Sequence, residues 1–205
     1  MKVMLVNGSL HEQGCTYTAL CEVAKALNAN GVETEIYQLG GKSVSGCKGC
    51  WACKKTGKCV IDDCVNEFVE KATECDGFIF GSPVYYASAA GALVSFMDRV
   101  FYSGGKKLAY KPAAAVVSCR RAGASTTFDV INKYFTINNM PVVGSNYWNE
   151  VHGNKAEEVL QDEEGLQTMR ILGNNMAWLL KCIELGKIEG LEPVKERKIM
   201  TNFIR

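Results

Sequence analysis

The chain reads as an α/β protein, a doubly wound parallel sheet of five strands with helices on both faces and a short C-terminal arm. Two observations predict this. The runs Gly77-Phe78-Ile79-Phe80-Gly81 and Ala113-Ala114-Ala115-Val116-Val117 are apolar without alternation, as strands covered on both faces require. Between such runs lie segments whose apolar residues recur at helical spacing, so strand and helix alternate. Right-handed crossovers then place helices on both faces, and ligands bind beyond the carboxyl ends of the strands.

The elements follow in order. Lys2 to Asn7 is a short β-branched and apolar strand ending at a glycine turn, and from Thr16 the residues Leu20, Val23, Ala24 and Leu27 follow helical spacing. Asn30-Gly31 stops that helix, and Glu33 to Leu39 alternates as a strand. A cysteine-rich loop spans residues 46–64. Asp62-Asp63 opens a helix with Val65, Phe68, Val69 and Ala72 on one face. The strand at Gly77 precedes a helix over 89–100, and the strand at Ala113 precedes one over 126–137. Met140-Pro141-Val142-Val143-Gly144 is expected to be the fifth strand. Residues 147–153 form an aromatic loop, and a long helix from about Asp162 to Leu185 should close the outer face. Residues 1–185 make one domain. Residues 186–205 form an arm, basic around Pro193, whose Ile199, Met200, Phe203 and Ile204 pack on a neighbouring subunit or on their own domain.

A length of 205 residues with 47% hydrophobic content can bury a sizeable core. The net charge of +1 supplies no field that would gather nucleic acid or an anionic membrane. The apolar start meets Asn7-Gly8-Ser9 too soon for a signal-peptide core or a membrane span, so a cytoplasmic protein is expected. In a reducing compartment ten cysteines read as buried thiols plus a metal or redox site. Cys21, Cys75, Cys119 and Cys182 stand singly among apolar residues and are expected to be small core side chains, and Cys64, inside the helix after the cysteine loop, likewise.

The segment from Asn7 to Tyr17 joins the first strand to the first helix, where free backbone N–H groups and the helix dipole suit a phosphate. Ser9 and Thr16 add hydroxyls. The segment lacks the Walker lysine and the tightly spaced glycines of the dinucleotide fingerprint, so a monophosphate fits best; the bland alternative is an ordinary capped turn. Gly81 to Tyr86 and Ser118 to Gly123 should converge on the same rim, one offering aromatic faces and the other cations. That combination suits a planar heterocycle whose reduced, anionic form an arginine would stabilise. His11 faces the phosphate or solvent, and neither it nor His152 has an evident acid or base partner.

Cys47, Cys50, Cys53 and Cys59 stand in the pattern C-x2-C-x2-C-x5-C. Four thiolates that close repel one another and oxidise unless a metal binds them or a reducing compartment protects them, so the loop points to metal or redox chemistry.

Taken together the residues resemble the NADPH-dependent FMN reductase superfamily, and within it the iron-sulfur flavoproteins. The resemblance rests on N-G-S and G-x-T at the phosphate loop, G-C-x-G-C-x-x-C with G-x-C-x-x-D-D in the cysteine segment, G-S-P-V-Y, F-M-D-R at Phe96 to Arg99, V-V-S-x-R-R-x-G, and the run Gln161 to Leu166. It spans nearly the whole chain. It implies a flavodoxin-like sheet of order 2-1-3-4-5 and bound FMN. The phosphate would lie at Ser9, His11, Gly14, Cys15, Thr16 and Tyr17, the ring against Pro83, Val84, Tyr85 and Tyr86, and further contacts at Ser118, Arg120, Arg121 and Gly123. An asparagine is common in the family where this chain has Cys15, whose backbone N–H still serves.

The resemblance also implies a [4Fe–4S] cluster on Cys47, Cys50, Cys53 and Cys59. The spacing favours this over zinc, which usually takes two separate C-x2-C knuckles, although clusterless relatives keep similar cysteines. Lys48, Lys54, Lys55 and Lys58 would offset the charge of a ligated cluster. The function implied is an FMN-dependent oxidoreductase passing electrons through the cluster to or from a protein such as ferredoxin, with no side chain needed as acid or nucleophile. The alternatives are a clusterless NAD(P)H-dependent reductase of FMN or quinones, and a non-enzymatic flavodoxin-like carrier or redox sensor. Relatives of this kind resemble homo-oligomers, dimers or tetramers, in which the cysteine loop approaches a neighbour's flavin.

Overall fold

The computed structural model describes residues 1–41, 43–201 and 203. Lys42, Asn202, Ile204 and Arg205, and with them the expected apolar end of the arm at Ile204, lie outside the described residues. Strand β1 (Lys2–Asn7) lies between β2 (Glu33–Gln38) and β3 (Gly77–Tyr85). A two-residue strand, β4 (Ser88–Ala89), folds back antiparallel on the end of β3. Strand β5 (Ala113–Cys119) pairs with β3, and β6 (Glu150–His152) pairs with β5 at the edge, both parallel. Apart from the β4 hairpin the five parallel strands stand in the expected spatial order 2-1-3-4-5.

The fifth strand is not where the hydropathy pattern placed it. Met140 to Gly144 contributes one bridge, Val142 to Ala113, and the paired segment is β6. The reason lies in how the edge of β5 is satisfied. The Ala113 N–H donates to Pro141 O and the Val143 N–H to Ala113 O, both at 2.9 Å. The chain then leaves the sheet, and a side chain stands in for it: Asn149 Nδ2 donates to Ala115 O at 3.0 Å, while Val117 N–H donates to Asn149 O at 2.9 Å. With the ladder completed by an amide, residues 145–148 loop out and expose Tyr147 and Trp148.

Helix α1 (Cys15–Ala29) follows β1. The four-residue helix α2 (Cys53–Thr56) lies inside the cysteine loop, and α3 (Cys64–Lys71) follows it, capped by Asp63 Oδ1, which accepts from the Val65 N–H at 3.0 Å. Helices α4 (Gly91–Leu108) and α5 (Ala124–Ile137) follow the β4 hairpin and β5, and the short α6 (Ala156–Val159) precedes α7 (Glu163–Ile188). Helices α1 and α7 cover one face of the sheet around Val3, Leu5, Leu20, Leu172 and Met176. They approach so closely at Gly173 that an added Cβ would lie 2.6 Å from Ala26 Cβ. Helices α3, α4 and α5 cover the other face around Phe68, Phe78, Phe80, Phe96 and Phe135.

Helix α4 starts two residues later than expected because residues 88–89 belong to the hairpin, and it runs on to a buried Leu108. Cys64, Cys75 and Cys119 are buried as expected, whereas Cys21 is half-buried and Cys182 is exposed on the outer side of α7. Among the described residues no helix is long and apolar enough to cross a membrane.

Candidate functional site: a rim for a phosphorylated heterocycle and a cavity of thiols

Three loops meet at one edge of the sheet because strand register brings the strand ends level. Asn7 lies opposite Gly81, and Pro83 opposite Ser118. The loop after β1 is pressed onto β3: the Gly8 N–H donates to Gly81 O at 2.9 Å, and a Cβ at Gly8 would sit 2.8 Å from that oxygen. Side chains at the ends of β1 and β2 then shape it. Asn7 Oδ1 accepts from the Ser9 N–H at 3.2 Å, Asn7 Nδ2 donates to Gln38 Oε1 at 2.6 Å, and Gln38 Nε2 donates to Ser9 O at 3.2 Å. Ser9 Oγ accepts from the His11 N–H at 3.1 Å, so this hydroxyl fixes the loop. Asn7 and Gln38 were not foreseen as shaping residues, although a buried Asn ending an apolar strand was the available signal.

Helix α1 is preceded by Gly14 at its N-cap, which offers no side chain to cap it. An uncapped first turn of this kind is suited to an anion. Thr16 is buried, and its hydroxyl lies 2.8 Å from Ser118 Oγ, tying the start of α1 to β5. Cys15 is half-buried with Sγ 3.5 Å from Gly153 O, and burial pushes its thiol up. A neutral thiol can adjoin an anion that a thiolate would repel. His11 is exposed and Tyr17 half-buried.

Pro83 and Val84 are half-buried, Tyr85 is 40% exposed, and the Tyr86 ring is wholly exposed at the hairpin turn, where its φ is +56°. A bulky residue held in that left-handed conformation stores strain, which clusters at functional loops. Gly123, φ +89°, closes the far side: a Cβ there would lie 2.7 Å from Val84 Cγ1. Arg120 and Arg121 stand exposed beside it. The rim residues expected from sequence thus lie in the last residues of β3 and β5, in the loops after β1, β3 and β5, and in the first turn of α1.

The cysteine loop forms a second place. Cys47, Cys50, Cys53 and Cys59 line one cavity of about 230 Å³ with Trp51, Ile61, Arg99, Tyr102 and Ser103. Its turns use left-handed backbone at Gly49 and Trp51. The Trp51 ring stands edge-on to Tyr102 at 5.7 Å with Lys54 Nζ 3.8 Å above it, and Cys53 Sγ lies 3.6 Å from Tyr102 O. Asn66 grips the backbone of Cys59, Oδ1 accepting from its N–H at 2.9 Å and Nδ2 donating to its carbonyl at 3.0 Å. Of the four lysines, Lys58 is paired with Glu70 at 2.7 Å.

The cavity floor is Arg99, 1% exposed. Its Nη1 and Nη2 fork onto Asp63 at 2.7 and 2.8 Å, and Nε donates to Cys59 Sγ at 3.3 Å. Burial opposes charge on both partners, and their mutual hydrogen bonds outweigh it: Asp63 is held below the usual carboxylate range and Arg99 is raised. The F-M-D-R and D-D motifs contained both residues, but not the knowledge that they meet.

Among the described residues no three Cys, His, Asp or Glu side chains converge to metal-binding distance. The four thiols instead share a cavity wall, two of them exposed and two half-buried. A soft, all-sulfur donor set around one cavity, with an N–H already on one sulfur, fits an iron–sulfur cluster. Arg99 to Ser103 lie eight to twelve residues along α4 from Gly91. At the helical rise these cavity residues therefore lie about 12–18 Å along α4 from its first residue, which follows the β4 hairpin at the rim.

A family model described as NADPH-dependent FMN reductase matches residues 1–155. An iron-sulfur flavoprotein of Methanocaldococcus jannaschii is 35% identical over 195 residues, covering 90% of this chain and 100% of its own length. One from Methanosarcina thermophila is 32% identical over 195 residues, covering 91% and 99%. Among solved structures, a flavodoxin from the domain Archaea superposes with a TM-score of 0.61 at 15% identity over 88% of this chain and 99% of its own. That likeness shows the fold and the family model shows the family: the chain is flavodoxin-like in fold and belongs to the NADPH-dependent FMN reductase family.

Proposed function

We propose that this FMN-dependent oxidoreductase carries two redox groups and exchanges single electrons with a redox protein such as ferredoxin. The first turn of α1, at Gly14 to Tyr17, binds the FMN phosphate through backbone N–H groups, with Ser9 and His11 at its border. Pro83 to Tyr86 form the wall for the ring, and Ser118 to Gly123 bring Arg120 and Arg121 to its edge. Cys47, Cys50, Cys53 and Cys59 hold a [4Fe–4S] cluster.

FMN supplies two-electron chemistry that can be divided into single electrons, and the cluster supplies a one-electron conduit. The protein's part is to orient: Trp51 and Tyr102 line the thiol cavity, and the Thr16 to Ser118 pair holds the phosphate turn against the sheet. The observation that carries this reading is the single cavity lined by all four thiols, one of them already accepting an N–H. The relatives named iron-sulfur flavoprotein support it.

A homo-oligomer, dimer or tetramer, is part of the reading. It is supported by exposed Trp178, Leu185 and Ile188 on α7, and by exposed Ile199, Met200 and Phe203 on the arm. A monomer by light scattering contradicts it. The second reading, a clusterless NAD(P)H-dependent reductase, draws on the lack of convergence among the thiols. An absorbance spectrum of anaerobically purified protein with iron and sulfide assays separates the two: flavin bands together with about four iron atoms per chain support the first, and flavin bands without iron sink it.

A further inference from the structure

We infer that Arg99 sets the reduction potential of the group held by the four cysteines, with Asp63 as its counterweight. The inference rests on the cluster reading above. Arg99 is the largest fully buried side chain of the described residues, and it stands on a helix face otherwise made of Phe96, Met97 and Val100. An arginine has five N–H donors, and all five are committed. Nη1 donates to Asp63 Oδ2 at 2.7 Å and to Ser45 O at 3.3 Å. Nη2 donates to Asp63 Oδ1 at 2.8 Å and to Ile61 O at 2.9 Å. Nε donates to Cys59 Sγ at 3.3 Å.

The carbonyls of Ser45 and Ile61 are the two stems of the cysteine loop, so one guanidinium closes the loop and touches a thiol inside it. Closure alone would be complete with four oxygens. The fifth donor goes to sulfur, and it carries a positive charge into a cavity whose occupant gains one negative charge on reduction. Hydrogen bonds to ligand sulfurs and nearby charge are the levers by which a protein tunes such a group. A buried cation stabilises the reduced form and raises the potential, whereas the Asp63 carboxylate, bound to the same cation, moderates that rise.

The two residues therefore act in opposite directions on the potential although they belong to one clamp. That opposition separates tuning from mere support. Arg99→Gln removes the cation, keeps polar atoms at the stems and leaves the carboxylate unopposed. Asp63→Asn removes the anion, keeps an oxygen able to cap α3 and leaves the cation unopposed. Arg99→Lys keeps the charge and loses the fork.

The test is an anaerobic redox titration of the full-length protein, followed by electron paramagnetic resonance, with iron and sulfide measured on each sample. The expected result is a potential below wild type in Arg99→Gln, above wild type in Asp63→Asn, and nearer wild type in Arg99→Lys than in Arg99→Gln. Shifts of one sign in Arg99→Gln and Asp63→Asn, or no shift in samples that keep their iron, overturn the inference. If Arg99→Gln does not fold, Asp63→Asn decides alone: a fall, no change or loss of iron overturns it. A wild-type protein without iron overturns the cluster reading and this inference together, whereas wild-type iron with unshifted potentials overturns this inference only.

Discussion

The rim and the thiol cavity are built by opposite means. At the rim the backbone does most of the work: parallel pairing levels the ends of β1, β3 and β5, Gly8 lets the loop lie on β3, and Gly14 leaves the first turn of α1 uncapped. Around the cysteines regular structure is scarce, a four-residue helix in a long loop, and a half-buried ion pair supplies the order that secondary structure does not. A rim of this kind follows from the fold, with a few side chains trimming it, whereas the cavity depends on side chains that no periodicity announces.

The thiol cavity is most vulnerable at Arg99. Arg99→Ala leaves the half-buried Asp63 carboxylate unpaired and frees both stems of the cysteine loop, which costs about 3 kcal/mol, the low end of the range for a buried pair. Calorimetry should show Tm lower by roughly 10 °C, with iron content falling and flavin content much less affected. Equal loss of both cofactors would mean that the two regions are one structural unit.

A matching change at the rim is Gly123→Ala. The residue would have to hold φ +89° with its Cβ 2.7 Å from Val84 Cγ1, so strain of about 1–2 kcal/mol should weaken FMN binding roughly tenfold and leave iron content unchanged. Fluorescence titration of the apoprotein with FMN measures the first, and an iron assay the second. A milder change is Thr16→Val, which leaves Ser118 Oγ without its buried partner and costs about 1 kcal/mol. Urea unfolding should show a lower midpoint at unchanged slope, and FMN binding should weaken less than in Gly123→Ala.

The smallest effect lies beneath the rim, where Glu22 on α1 meets Arg170 on α7 at 2.8 Å and Lys25 at 3.3 Å. Burial would raise the Glu22 carboxyl, but the two cations outweigh it and hold the group below its ordinary value. A folded-state pKa below the unfolded one makes the stabilisation present above the ordinary glutamate value of about 4.3 and lost as pH falls through the folded value. Glu22→Gln should therefore lower Tm by about 1–2 °C at neutral pH, and the difference from wild type should vanish in acid. A difference that persists at about pH 2 would assign the effect to packing.

The same contrast explains what could be read from the sequence. The unbroken apolar runs at Gly77 and Ala113 announced central parallel strands, and their carboxyl ends named the rim residues, because burial and register act through short-range patterns. The fifth strand escaped because Asn149 uses its side-chain amide on the ladder, and hydropathy shows no such substitution; it marked the bridging residues at Val142 and missed the paired ones at Glu150 to His152. The cysteines declared themselves by spacing, but their position 12–18 Å along α4 and their dependence on Arg99 did not. An arginine 40 residues from the last cysteine is linked to it only by tertiary structure.

In the proposed function electrons reach the flavin by way of the thiol cavity. The direct measurement is anaerobic stopped-flow reduction of bound flavin by reduced ferredoxin, in wild type and in Cys50→Ser with its FMN retained, and dithionite as the control donor for both. Flavin reduction by ferredoxin should be at least tenfold slower in Cys50→Ser, with similar rates from dithionite. Equal rates from ferredoxin in the two proteins would contradict it.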